Sequence, residues 1–263
     1  MPDLSLEEVL RLLVAVAALL SVAIAVSWRW RLGQARDLLV VTARAVVQLL
    51  LVGVVLRLIF ATPGLAPVYL ALMVGVAAIT SGRRFADRPR GVDPHAFGVA
   101  AVSIGVAAGV TAGIVLASGA IAFQARELVP FTAQVIGGSM TATTLAGTRL
   151  RDDVKAHWDE VEGWLALGAR PRQAVSELAV RAASRAVVPA LDQTRNVGLV
   201  VLPGAFVGLL LAGSSPLDAG RLQLLVLIAL LAAETMAAVL VTQLLGPSVA
   251  TRTGTDPPPR GGG

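Results

Sequence analysis

The chain has 263 residues, 56% of them hydrophobic and 15% charged, and a mean hydropathy of +0.76. Its apolar residues come in long blocks, whereas a soluble domain would interleave them and a transmembrane barrel would show short alternating strands. The net charge of +5 does not point to nucleic acid, because the arginines stand mainly between the blocks as topology signals, and the lack of cysteine excludes disulfides, thiolate metal sites and redox thiols.

A helix rising 1.5 Å per residue needs about twenty apolar residues to cross a hydrocarbon core of about 30 Å. The first block of that order covers residues 9–27. Its acidic start, with Asp3, Glu7 and Glu8, and its end in Trp28-Arg29-Trp30-Arg31 are unlike a cleaved secretory signal, so it reads as a retained span. The second block is 38–60, closed by the turn sequence Ala61-Thr62-Pro63-Gly64. The third, 67–80, is shorter and is followed by a gap carrying Arg83, Arg84, Arg88 and Arg90. Blocks four and five are 96–117 and 128–145; blocks six and seven are 197–212 and 221–245. The expected fold is all-α and polytopic, with about seven transmembrane helices over residues 1–245 and a disordered Pro- and Gly-rich tail over 246–263.

The one long polar segment, 149–189, separates blocks five and six. Val154, Trp158, Val161 and Leu165 recur there at spacings of four, three and four, so a helix would be apolar on one face and charged on the other. Gly168 suits the end of that helix and Pro171 the first turn of the next, which predicts a helical hairpin outside the membrane. With seven spans, one set of alternate loops holds Arg29, Arg31 and Arg36, then the arginines of the third gap, then those of the hairpin. The opposite set holds Arg126, with Arg221 at its edge. The positive-inside rule then puts the hairpin and the C-terminus in the cytoplasm and the N-terminus outside, in a plasma (inner) membrane.

Several polar residues fall inside apolar blocks. Glu234 stands in the middle of block seven, where a carboxylate costs about 2.5 to 3.5 kcal/mol. It is either a cation or proton site, or a protonated carboxyl in an interhelix hydrogen bond. Gln48 lies one turn after Arg44; the arginine can snorkel, but the glutamine is too deep to do so. Block five carries Gln134, Gly137, Gly138, Ser139, Met140, Thr141, Thr143 and Thr144, a composition suited to a bundle interior or an aqueous path. In block four Gly105, Gly109 and Gly113 form a stripe for close helix packing. Pro203-Gly204 predicts a kink or break in block six, and Asp192 with Arg195 at its mouth forms a candidate gate. There is no G-x-x-x-x-G-K-[ST] loop and no H-E-x-x-H, and His95 and His157 stand far apart. No catalytic residue, cofactor or resident metal is therefore expected.

Arg44-Ala45-Val46-Val47-Gln48-Leu49, the run from Leu167 to Ala174, Val197-Gly198-Leu199-Val200-Val201-Leu202-Pro203-Gly204 and Leu211-Ala212-Gly213 resemble the FetB-type permeases of iron-export ABC transporters, with plant relatives linked to aluminium tolerance. The likeness runs from the first span to the seventh. It implies a homodimeric permease working with a separate ATP-binding-cassette subunit. Glu162, Gly168 six residues on and Leu178 ten beyond that also resemble the E-A-A-x-x-x-G-x9-I-x-L loop of ABC permeases, although Gly163 and Trp164 replace its alanines. By that likeness Glu162, Gly168, Ala169, Arg170 and Pro171 would couple to the ATPase.

Ser139 departs from a family Asn, Ala205 and Phe206 from methionines, Ser215 from Asp and Leu222 from Tyr. The missing thioethers remove soft metal donors and leave Glu234 as the main hard one. The expected function is a metal-exporting permease whose path is lined by Gln48, Gln134, Ser139, Met140, Thr141 and Glu234 and whose hinge is at Pro203 and Gly204. A proton-driven secondary transporter and a non-transporting scaffold are the alternatives.

Overall fold

The computed structural model describes residues 5–86, 91 and 93–253. Arg88, Arg90 and the tail beyond 253 lie outside the described residues. The described part is helical throughout, save for turns and one isolated bridge between Val197 and Val201. The chain divides into two compact units, residues 1–62 and 63–263.

The first unit holds α1 (Leu6–Arg29) and α2 (Ala35–Ala61). Ser5 starts α1 with a reciprocal capping box: its hydroxyl accepts from the Glu8 N–H at 3.3 Å, while the Glu8 carboxylate accepts from the Ser5 N–H at 2.9 Å. Both helices expose nearly all of their apolar side chains, as lipid-facing spans do.

The second unit opens with a single 3-10 turn at Pro63–Leu65 and continues into α3 (Ala66–Phe85). Asp93 then caps α4 (Pro94–Ala117) by accepting from the N–H groups of His95 and Ala96. The 32-residue α5 (Ala125–Ala156) follows, then the short α6 (Trp158–Ala166) and α7 (Pro171–Ala174), α8 (Ser176–Arg195), α9 (Gly204–Leu211) and the 38-residue α10 (Pro216–Thr253). Helices α3, α4, α5, α8 and α10 pack into one core. Its centre is built largely from small residues, among them Ala78, Ala100, Ala107, Ala142, Ala146, Ala233, Ala237 and Ala238, which lets the backbones approach closely.

Among the described residues, five helices are long and apolar enough to cross a membrane: α1, α2, the segment Pro63–Phe85, α4, and Pro216–Thr251 within α10. Block five is also a single helix, but the hydroxyls and glycines of α5 and its charged end lower its apolarity. Block six is not one helix. Leu199, Val200 and Val201 all donate to the Asn196 carbonyl, Gly198 takes a φ of 77°, and Pro203 stands just before α9. With eight residues α9 is about 12 Å long, too short to cross.

The flank of α10 is instead covered by α8, which the polarity of its exposed face hides in the sequence. Leu178, Ala179, Ala182, Ala183, Ala186, Val187 and Ala190 make its buried stripe. Val175, just before it, lies 3.0 Å from where a Cβ on Gly246 would stand, and its far end leads into 197–206, which lies beside 220–227 of α10.

Two further expectations are corrected. The chain stays helical past residue 245, because Val249 and Ala250 are buried and hold the last turns of α10 in place. Only the first member of the glycine stripe of α4 packs among the described residues: a Cβ on Gly105 would stand 3.7 Å from Val74, whereas one on Gly109 or Gly113 would meet nothing within 4 Å, and most contacts are made by Ala100, Ile104 and Ala107. The close approaches are at Gly82 against the Ala96 backbone, Gly147 against the Phe85 ring, Gly138 against Glu234, and Gly246 against Val175.

Candidate functional site

Although α5 packs against α3, α4, α8 and α10, one stripe of it stays open: Pro130, Gln134, Gly137 and Thr141, at spacings of four, three and four. Thr141 satisfies its hydroxyl by donating to the Gly137 carbonyl at 3.1 Å. The Gln134 amide has no hydrogen bond among the described residues. An exposed amide on a helix at membrane depth must face protein or water rather than acyl chains.

Beside this stripe stands Glu234 of α10, half-buried. Its Oε1 lies 2.7 Å from where a Cβ on Gly138 would be, so the missing side chain at 138 is what makes room for the carboxyl. Nothing among the described residues hydrogen-bonds to it. The structure thus brings together Gln134, Thr141 and Glu234. No group of three or more His, Cys, Asp or Glu able to hold a metal occurs among the described residues.

Two residues of α5 expected on the path face the core instead. Ser139 is fully buried on the side of α5 away from Gln134, since five residues turn a helix through about 140°. The side chain of Met140 packs partly into the core, and its carbonyl accepts from Ser81 and Thr144. Gln48 is exposed on α2, in the first unit. Asp192 and Arg195 form an exposed pair at 3.5 Å within one turn of α8, so the pair bridges no two elements and closes nothing by itself.

The polar hairpin turns a corner at Gly168. The Ala169 N–H donates to the Trp164 carbonyl and that of Gly168 to Leu165, while Gly168 takes a φ of 86°. Arg170 precedes α7, where the Gln173 side chain accepts from its N–H, and Pro171 fills the first helical position. Beneath the corner Val161, Ala174 and Val175 are buried. Outside it Glu162, Gly168 and Arg170 are exposed, and so are Trp164 and Leu167, the latter 83% accessible. Ala169 and Pro171 are half-buried. A shallow cleft of about 290 Å³ runs between Glu160, Trp164, Ala169, Gln173 and Glu177.

One contact absent from the sequence reading ties this corner to the rest of the protein. The Arg172 guanidinium donates twice to Gln243 Oε1 of α10, at 3.0 and 2.6 Å. Arg151 similarly donates to the Phe85 carbonyl at 2.9 Å. A lone Arg and a lone Gln seventy-one residues apart carry no local pattern, so only the fold reveals such a pair. At the other end of α10, Gln223 is only 5% exposed and its Oε1 has no hydrogen-bond partner among the described residues, in a cavity of about 240 Å³ shared with Val197, Pro203 and Phe206.

The class these features define is an all-helical, multi-pass membrane protein with an exposed helix–Gly–helix corner clamped to its longest helix. The family described as uncharacterised protein family UPF0014 matches residues 10–249. The rice membrane protein STAR2 is 39% identical over 240 residues, covering 90% of this chain and 82% of its own. ALUMINUM SENSITIVE 3 of Arabidopsis thaliana is 35% identical over 90% of this chain and 86% of its own. A protein described as the probable iron export permease FetB of Escherichia coli is 30% identical over 86% of each. No solved structure matches the chain at a significant level. The chain belongs to the UPF0014 family of membrane proteins.

Proposed function

We propose that the chain is the membrane permease subunit of an ABC transporter, working as a homodimer with a separate ATP-hydrolysing subunit and moving a metal cation. The observation that carries this reading is the exposed Gly168 corner joined to α10 through Arg172 and Gln243. Force applied at the corner reaches the helix that holds Glu234, nine residues or about 13 Å along its axis from Gln243. Trp164 and Leu167 offer an apolar patch with Glu162 and Arg170 beside it, a surface fit for a groove on a partner. The open stripe of α5 supports the dimer, because a second copy over Gln134, Gly137 and Thr141 would enclose a polar path with Glu234 at its edge. Pro203 and Gly204 serve as the hinge. The name of the E. coli relative supports iron as the cargo, and the cell's plasma membrane is the site of action.

The test is purification of the tagged chain from its native membrane with a search for a Walker-motif protein that accompanies it. The expected result is one such partner, lost in Leu167→Asp, a variant whose native side chain makes little contact with its own fold. A chain that moves cargo in liposomes under a pH gradient alone, with no nucleotidase present, would instead favour a proton-driven carrier using Glu234.

A further inference from the structure

The turn joining α1 to α2 carries an arrangement that the transport reading leaves unused. Helix α1 ends in a Schellman motif: the Leu32 N–H donates to the Ser27 carbonyl at 2.9 Å, and the Arg31 N–H to Trp28 at 3.1 Å. The left-handed residue of that motif is ordinarily glycine, yet Arg31 occupies it with a φ of 53°, the only described non-glycine residue with a positive φ. A side chain held there at a steric cost is a sign that its direction matters.

A cleft of about 620 Å³ opens at the turn, lined by Ser27, Trp28, Arg29, Arg31, Gly33 and Ala35. Ser27 is 3% exposed, and its hydroxyl has no hydrogen-bond partner among the described residues. That is not the habit of this helix, since Ser21, six residues earlier, donates to the Ala17 carbonyl at 2.8 Å. The Ser27 hydroxyl is therefore a donor with nothing to receive its proton. Around it, Arg29 lies over the Trp30 ring at 5.8 Å, and Arg29, Arg31 and Arg36 form no salt bridge among the described residues. Asp37 is the one acid in residues 27–37. The cleft also faces the start of α2, whose Gln34 gives no side-chain cap to the first N–H groups. Trp28 and Trp30 are both largely exposed, the setting of indoles at the boundary of a bilayer.

We propose that this turn binds a phosphate monoanion or diester, and that its physiological source is the headgroup of an anionic phospholipid. The Ser27 hydroxyl and the Arg29 and Arg31 guanidiniums donate to the phosphate oxygens, and the two tryptophans lie at the level of the glycerol backbone. Arg is the residue suited to this, as its planar fork meets two phosphate oxygens at once.

The test uses the full chain in nanodiscs of equal parts phosphatidylglycerol and phosphatidylcholine, with the lipid retained by the protein counted by native mass spectrometry. The wild type should retain phosphatidylglycerol above its bulk share, and excess inorganic phosphate should not erase the preference. Arg31→Gly is the decisive variant, because it relieves the backbone and should raise or preserve the melting temperature while cutting the enrichment about fivefold. Ser27→Ala and Arg29→Gln should cut it similarly. Unchanged enrichment in Arg31→Gly, or no enrichment in the wild type, overturns the site. A melting shift with inorganic phosphate alone, without lipid preference, overturns the lipid as its source.

Discussion

Gly137 and Gly138 are neighbours on α5, and the structure predicts opposite outcomes for the same substitution at each. Both lie inside a helix, so replacing either with alanine gains about 0.5 to 1 kcal/mol of backbone entropy. At 137 nothing stands within 4 Å of the new Cβ, and the gain remains. At 138 the Cβ would stand 2.7 Å from Glu234 Oε1 and 2.8 Å from Leu230 Cδ2, closer than such atoms approach. Both are ends of flexible side chains, so they rotate away, at an overpacking cost of about 1 to 3 kcal/mol. The net for Gly138→Ala is a loss of up to about 2.5 kcal/mol, with the Glu234 carboxyl pushed from its recess. Melting of the two purified variants in one detergent, followed on the transport reading by cargo flux in liposomes with the proposed ATPase partner, separates the cases. Gly137→Ala should melt at or above the wild type and keep most of its flux. Gly138→Ala should melt lower and lose flux disproportionately. Equal melting temperatures and equal flux in the pair would refute the placement of Glu234 against α5 as the feature that matters.

A double-mutant cycle on Arg172→Gln and Gln243→Ala should give a coupling of about 1 kcal/mol in the isolated chain, the lower range for a charge-assisted hydrogen bond because the pair is exposed. If the chain works as the permease subunit proposed above, either variant should keep ATP hydrolysis by the assembled complex while moving less cargo per ATP. Gly147→Ala should destabilise by about 1 to 3 kcal/mol, since its Cβ meets the buried Phe85 ring at 2.7 Å and a packed ring has little room to move; a denaturant midpoint equal to the wild type would contradict it. Gln134→Leu should leave the stability within about 0.5 kcal/mol of the wild type, as exposed substitutions do, yet on the transport reading reduce flux when measured in liposomes.

What the sequence made legible follows from how local each signal is. The first four apolar blocks, the Gly168 corner and the break at Pro203 are fixed by composition or by backbone rules acting over a few residues, and each stands where the pattern put it, whereas block six is interrupted and the helix of block seven runs on to Thr253. Glu234, Gln134 and Thr141 were identifiable because polar groups in apolar runs are conspicuous. Ser139 and Met140 were grouped with them by proximity in the chain, but a helix turns about 100° per residue, and so they face the core. The role of α8 was hidden because its buried face is mostly alanine, which hydropathy barely registers, while its open face carries Arg185, Asp192 and Arg195. The clamp between Arg172 and Gln243, and the glycines that admit neighbouring side chains, depend on which helices meet. No spacing in one chain encodes that.

The length of α10 explains why the corner grips it where it does. Its 38 residues extend about 57 Å, well beyond a hydrocarbon core of about 30 Å, so part of the helix must project outside the bilayer. A guanidinium donating to Gln243 is stable only at such a projecting end, because burying it at acyl depth would cost several kcal/mol. The same rigid helix carries Glu234 two and a half turns further in, among apolar neighbours. On the transport reading, a displacement at the projecting end would travel along the helix axis to Glu234 near its middle. On the transport reading that makes α10 the lever, and the open stripe of α5 the surface against which it moves.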